Sequence, residues 1–244
     1  MASSQAIKDN LPYLRRFARS LTGTQKSGDG YVRMLLEAAQ SDRDLVAQMA
    51  SGRVGLYSAF CKLHRSGAAA ALGVSREVPQ QRQALLLTTM EDFSATQAGE
   101  ILGLSADDVE LQVAEALAVI DGENPARVLI IEDEPLISMQ LEGLVEDLGH
   151  AVCGMAATRD QAVALAAEQA PSLVLADIQL ADGSSGIDAV DDIMRGASVP
   201  VVFITAYPER LLTGERSEPA FLVTKPFHEA TVRAAISQAL FFAD

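Results

Sequence analysis

Cysteine is scarce in this chain of 244 residues: Cys61 and Cys153 are the only two. They fall in different parts of the sequence, and their spacing is that of no metal site. Two reduced, partly buried thiols are expected rather than a disulfide or a redox switch. Histidine is nearly as rare. His64, His150 and His228 sit beside no second ligand-type residue in a recognised motif, so all three are expected to be structural or surface residues. No apolar run reaches the roughly 18–20 residues that span a bilayer. The opening MASSQAIKDN lacks the apolar core of a signal segment. A cytoplasmic location is expected, with no membrane partner. Positive charge is short as well: the formal net charge is −14, which disfavours general nucleic-acid binding.

What is present is enough to build a core, because 49% of the residues are hydrophobic. The charge is unevenly spread. Residues 1–66 carry 10 Lys and Arg against 5 Asp and Glu, residues 77–123 carry 1 against 10, and residues 125–244 carry 7 against 18. The best boundary is Asp121-Gly-Glu-Asn-Pro-Ala126, where Gly and Pro interrupt a helical pattern and an aliphatic run follows. The expected organisation is a helical domain over 1–122, a linker at 123–126 and a second domain over 127–244.

Before the boundary only helical periodicity occurs. Leu11, Leu14, Phe17, Ala18 and Leu21 share one face, and Pro12 suits a helix start. Further helices are expected near 30–40, 42–50, 53–66, Gln80–Met90, Ser94–Leu102 and Ser105–Ile120, with a turn at Glu91-Asp92-Phe93. Ser94 with Gln97 fits a capping box, and Ser105 with Asp108 is a weaker version. After the boundary, strands at Arg127–Ile131, Ala151–Ala156, Leu173–Ala176, Val199–Ile204 and Ala220–Val223 alternate with helices near 135–148, 159–169, 186–195, 208–213 and 228–242. This alternation predicts an α/β doubly wound parallel sheet of (βα)5 type behind an all-α domain.

In such a sheet the chemistry lies at the carboxyl ends of the strands. Strand one ends in Glu132-Asp133-Glu134, strand three in Asp177, strand four in Thr205 and strand five in Lys225-Pro226-Phe227. Carboxylates gathered in one pocket repel each other unless a cation lies between them. An all-oxygen set of this kind suits Mg2+. A carboxylate beside that cation can attack a phosphoryl group and form an acyl phosphate, whose charge a lysine ammonium and a threonine hydroxyl then stabilise.

These residues resemble the receiver domains of two-component response regulators over essentially all of 125–244. The resemblance implies Glu132 and Asp133 as metal-binding acids and Asp177 as phosphoacceptor. It implies Thr205 as the switch hydroxyl, Lys225 as the phosphate-sensing lysine, and the Gln179 backbone carbonyl as a further metal ligand. Many receivers carry an aromatic three residues before the lysine, where this chain has Leu222. An aromatic follows the switch threonine instead, in Phe203-Ile-Thr-Ala-Tyr207. This is similar to a receiver subgroup, and it makes Tyr207 the candidate moving aromatic; a half-buried tyrosine capping the fourth strand is the alternative.

The helical domain has its own resemblance. Leu11-Pro-Tyr-Leu-Arg-Arg-Phe-Ala-Arg-Ser-Leu-Thr-Gly23 resembles the opening of region 2 in extracytoplasmic-function sigma factors, with region 2 covering about 7–66. Gln80–Phe93 with the helix-turn-helix outline at Ser94–Ile120 resembles region 4, covering about 77–120. The surface chemistry departs from that family. A recognition helix needs cations or amides at its exposed N-terminal positions, but this one begins Ser105-Ala-Asp-Asp-Val-Glu110, and Arg82 is the one cation between 77 and 123. Where sigma factors carry an acidic polymerase-binding stretch, this chain has Gly28-Asp-Gly-Tyr-Val-Arg-Met34.

The order of the two parts, with short matches such as Asp177-Ile-Gln-Leu-Ala-Asp-Gly-Ser-Ser-Gly186, resembles the PhyR-type response regulators of the alphaproteobacterial general stress response. That resemblance implies an anti-anti-sigma factor. A sensor histidine kinase supplies the phosphoryl group, and the sigma-like domain then sequesters a NepR-type anti-sigma factor and releases the stress sigma factor. The resting receiver is expected to hold the sigma-like domain closed through residues Tyr207 to Gly214. Two rivals stand beside it. A DNA-binding transcriptional regulator using the helix-turn-helix at 94–120 lacks its cationic surface. An enzyme turning over phosphate in the carboxylate pocket lacks a substrate cleft and a second base, so slow autodephosphorylation would be the only catalysis.

Overall fold

The structure, a computed structural model, describes residues 2–66, 78–120, 124–180, 182–212 and 218–243. The chain divides into two compact units, Met1–Leu117 and Ala118–Asp244. Of the expected linker, residue 123 lies outside the described residues. No described helix is long and apolar enough to cross a membrane.

The first unit contains α1 (Ala2–Thr22), α2 (Gln25–Ala39), α3 (Arg43–Ala50), α4 (Arg53–Arg65), α5 (Gln80–Thr89), α6 (Ala95–Leu102) and α7 (Ala106–Ile120), whose last turn passes into the second unit. The face expected on α1 is buried: Leu14, Phe17, Ala18 and Leu21 are each at most 1% exposed. Pro12 does not start that helix. It lies inside it, ten residues after Ala2, where its missing N–H forfeits one backbone hydrogen bond. The second helix begins earlier than its apolar stripe, because Thr24 caps it with Oγ1 accepting from Ser27 N at 3.1 Å. Gly28 sits within this helix for a packing reason: a Cβ there would lie 2.5 Å from the Arg19 backbone nitrogen. The capping box at Ser94 and Gln97 forms in both directions, and Gly103 closes α6 at φ +76. Ser105 and Asp108 also cap α7 reciprocally.

The second unit is built on β1 (Arg127–Ile131), β2 (Ala151–Ala156), β3 (Leu173–Ala176), β4 (Val201–Thr205) and β5 (Phe221–Thr224). They form one parallel sheet in the order β2-β1-β3-β4-β5. The order reverses between β1 and β3, so a crevice opens at their carboxyl ends. The helices α8 (Pro135–Asp147), α9 (Arg159–Gln169), α10 (Gly186–Gly196) and α11 (Glu229–Phe241) complete the unit. Leu129, Ile131, Val174, Ala176, Phe203 and Leu222 form one buried cluster on the sheet. The apolar runs of β1, β3 and β4 match strands covered on both faces. The helix expected over 208–213 is instead a single 3-10 turn at Pro208–Arg210, and residue 213 lies outside the described residues.

Candidate phosphoacceptor site

The site grows from the ends of four strands. The Asp177 backbone N–H donates to the Ile131 carbonyl at 2.8 Å, which extends the β1–β3 ladder and brings the acid beside the β1 loop. On the other edge the Lys225 N–H donates to the Thr205 carbonyl at 2.8 Å, extending β4–β5 in the same way. Sheet register therefore sets where each side chain starts.

Lys225 Nζ donates to Glu132 Oε2 and to Asp177 Oδ2, each at 2.7 Å, and lies 3.7 Å from Glu134 Oε1. The residues it joins are nearly closed to solvent, Glu132 being 4% and Asp177 7% exposed. Burial pushes the Glu132 carboxyl above its ordinary value, and the Lys225 ammonium offsets only part of this. Burial acts on Lys225 in the opposite direction, but its hydrogen bonds to Asp177 and Glu132 outweigh burial and hold its pKa above the usual lysine value. The lysine is therefore a fixed cation. Asp177 Oδ1 accepts from the Ile178 N–H at 2.5 Å and the Gln179 N–H at 3.4 Å, so backbone donors and one ammonium orient the carboxylate.

Glu132, Glu134 and Asp177 each bring a carboxylate oxygen within 4.8 Å of the others. Asp133, half-buried on the same loop, is not one of these three. Glu134, two residues after Glu132 on that loop, takes the third place instead. Three carboxylates around one ammonium leave an excess of negative charge on an all-oxygen donor set, which fits a hard divalent cation better than a transition metal.

Gln179 lies in a narrow loop that folds back on itself. It bridges Ser185, the Leu180 N–H donates to the Ser184 carbonyl at 3.3 Å, and Ser184 N–H donates to Asp182 Oδ1 at 2.9 Å. The loop closes onto Gly186, which packs against the acceptor itself: an added Cβ would fall 1.7 Å from the Asp177 carbonyl oxygen. Gly186 is a site residue that side-chain chemistry could not reveal. Its sequence signals are its position at the entry to a helix nine residues after the acid and its place at the end of the Asp177–Gly186 match.

Thr205 is fully buried at the end of β4, and its Oγ1 accepts from the Tyr207 N–H at 3.2 Å. Tyr207 is 43% exposed, and Arg210 lies over its ring at 4.8 Å from the centroid. Leu222 fills the core position in its place at 1% exposure.

In the helical unit, Arg82 is the one cation among residues 78–120, and it is buried at 8% exposure. Asp92, Glu100, Asp107, Asp108, Glu110 and Glu115 are all exposed there. The described face of the helix-turn-helix thus presents carboxylates and no cation.

Comparison with known proteins matches each part. Residues 7–61 match the family described as the sigma2 domain of PhyR, residues 74–123 the sigma-like domain of the response regulator PhyR, and residues 128–237 the response regulator receiver domain. The chain is 47% identical to the phyllosphere-induced regulator PhyR of Methylorubrum extorquens, over 99% of this chain and 96% of that one. The crystal structure of the response regulator PhyR from Brucella abortus is 50% identical with a TM-score of 0.89, covering 99% of this chain and 95% of its own. That of the anti-anti-sigma factor PhyR from Bartonella quintana is 51% identical with a TM-score of 0.89, covering 98% and 96%.

Proposed function

The chain belongs to the PhyR family of response regulators, and on that premise we propose that it is a phosphorylation-activated anti-anti-sigma factor. One pairing carries this reading. A complete carboxylate, lysine and threonine site shares a chain with a sigma-like unit whose helix-turn-helix half has its one described cation buried. Affinity for nucleic acid depends on neutralised phosphates, so such a surface suits a protein partner and not DNA.

In this proposal a sensor histidine kinase transfers its phosphoryl group to an Asp177 carboxylate oxygen. The phosphohistidine P–N bond breaks as the new P–O bond forms. Glu132, Asp133, Asp177 and the Gln179 carbonyl would hold Mg2+, with Glu134 at the rim. When bound, that ion neutralises charge on the phosphoryl oxygens during transfer. Lys225 leaves its present bond to Asp177 Oδ2 and donates to a phosphoryl oxygen. The Thr205 hydroxyl donates to another. Because Thr205 Oγ1 also holds the Tyr207 N–H, its movement carries Tyr207 and the turn after it. Tyr207 is the aromatic assigned to this switch. We assign the chain the role of a phosphoprotein, with slow autodephosphorylation at most, rather than that of an enzyme.

The functional division we assign is a sigma-like domain over 1–122, a linker at 123–126 and a receiver over 127–244. Phosphorylation frees the sigma-like domain to sequester a NepR-type anti-sigma factor, which releases the stress sigma factor. The location we assign is the cytoplasm, where kinase output and polymerase meet.

The test is a calorimetric titration of a NepR-type anti-sigma factor into the full chain with Mg2+, with and without acetyl phosphate. Binding should tighten at least tenfold, about 1.4 kcal/mol or more, on phosphorylation, and Asp177→Ala should abolish the gain. Equal binding with and without the phosphodonor would overturn the gating.

A further inference from the structure

The helical unit matches two separate family descriptions, over 7–61 and 74–123, and one buried carboxylate joins the two halves. Glu91 lies on the turn between α5 and α6 with its side chain fully buried. Its Oε1 accepts from Arg16 Nε at 3.2 Å and Arg16 Nη2 at 2.8 Å. Its Oε2 accepts from Arg53 Nη2 and from Tyr57 Oη, each at 2.7 Å. Arg16 Nη2 also donates to the Met90 carbonyl at 3.0 Å. Every donor belongs to the first half and every acceptor to the second.

The surroundings hold this node from several sides. Asp92 adopts φ 53 to turn the chain, a conformation that Asp tolerates better than most residues. The Phe93 N–H then donates to the Leu87 carbonyl at 3.1 Å. Arg53 lies over the Phe93 ring at 4.5 Å and the Tyr57 ring at 5.4 Å, and those rings meet edge to face at 4.9 Å.

Apolar contact between α4 and α6 is non-directional and would accept several neighbouring placements of the halves. A carboxylate that accepts two hydrogen bonds at each oxygen fits one placement, because a slip leaves a buried charge without its donors. The desolvation of such a cluster cancels most of its attraction, so its net contribution to stability is small.

We infer that Glu91 is a positioning residue that fixes one placement of the two halves and so composes the surface presented to the anti-sigma factor. The partner in this inference rests on the proposed function; the placement does not. Spin labels at Lys26 and Glu110, exposed positions of α2 and α7, in the full chain carrying Cys153→Ser, report the separation of the halves by pulsed electron resonance. The parent should give one narrow distance distribution. Glu91→Gln should broaden it and weaken binding of the phosphorylated chain to a NepR-type anti-sigma factor at least tenfold, with the rate of Asp177 phosphorylation unchanged. Arg53→Gln should move both readouts the same way by less, and it decides the question if Glu91→Gln does not fold. An unchanged narrow distribution overturns the positioning role. A broadened distribution with unchanged affinity overturns the composite surface. A parent chain that never binds the partner would count against the function, while the distances would still decide the placement.

Discussion

Lys225 Nζ and Asp177 Oδ2 are 2.7 Å apart, so the ammonium occupies ground next to the carboxylate that the proposed metal ion would also need. Its second bond, to Glu132, places it between two of the acids assigned to the metal. The lysine is an internal counter-ion that would have to give way to the proposed metal. Lys225→Met should raise Mg2+ affinity by about tenfold, a modest fraction of the Coulomb repulsion between two cations a few ångströms apart at an effective dielectric near 20. Calorimetric Mg2+ titration of the two proteins measures this. Unchanged or weaker binding in the variant would show that the ammonium does not compete.

Gly186→Ala should destabilise the receiver, because no side chain fits 1.7 Å from the Asp177 carbonyl oxygen. The backbone of the loop or of α10 must shift, at a cost of about 1–3 kcal/mol or more. Thermal unfolding should show a lower midpoint, and phosphorylation by acetyl phosphate should slow. A variant that melts with the parent and labels at the parent rate would mean that the loop and α10 yield freely there.

The two thiols should separate cleanly in a labelling experiment. Burial pushes the Cys61 thiol up to about 12 and leaves it fully enclosed. Cys153 is only half-buried, with its thiol also raised by burial. A thiol above its ordinary pKa is protonated and unreactive at pH 8. Disulfide reagents at that pH should modify Cys153 slowly and Cys61 only after denaturation. Equal rates in the folded protein would contradict the packing around Cys61.

The chain should not bind promoter DNA at physiological salt. Exposed carboxylates at Asp107, Asp108 and Glu110 open the helix that would face phosphates, and Arg82 is buried. A sequence-specific mobility shift at affinities near 10⁻⁸ M, typical of working regulators, would restore the transcription-factor reading.

The strand ends were legible because a parallel sheet turns strand order into spatial proximity, so Glu132, Asp177, Thr205 and Lys225 could be gathered without coordinates. Caps were legible for a local reason: Ser94 and Gln97 are three residues apart and bond each other. What lay beyond sequence was non-local pairing. The Lys225 bond to Glu132 spans 93 residues. The Arg16 bond to Glu91 spans 75, and nothing near Glu91 in the sequence distinguishes it from a solvated turn acid. The start of α1 is not legible because Pro12 favours a first turn on local grounds, whereas the surrounding helix tolerates the single missing bond.

The buried Arg82 has a consequence for availability. A regulator with a cationic reading surface spends most of its time on the vast excess of non-specific sites a genome provides. In the proposed function, a helix-turn-helix half whose described exposed charges are all carboxylates would be repelled by that lattice, leaving its copies in free solution. On that reading the population able to meet a partner would be the whole population made, and the response would scale with the number of molecules phosphorylated and not with how much chromosome is present to absorb them. Diffusion tracking in live cells should show a single fast population, which cationic substitutions at Asp107, Asp108 and Glu110 should divide into fast and nucleoid-bound fractions.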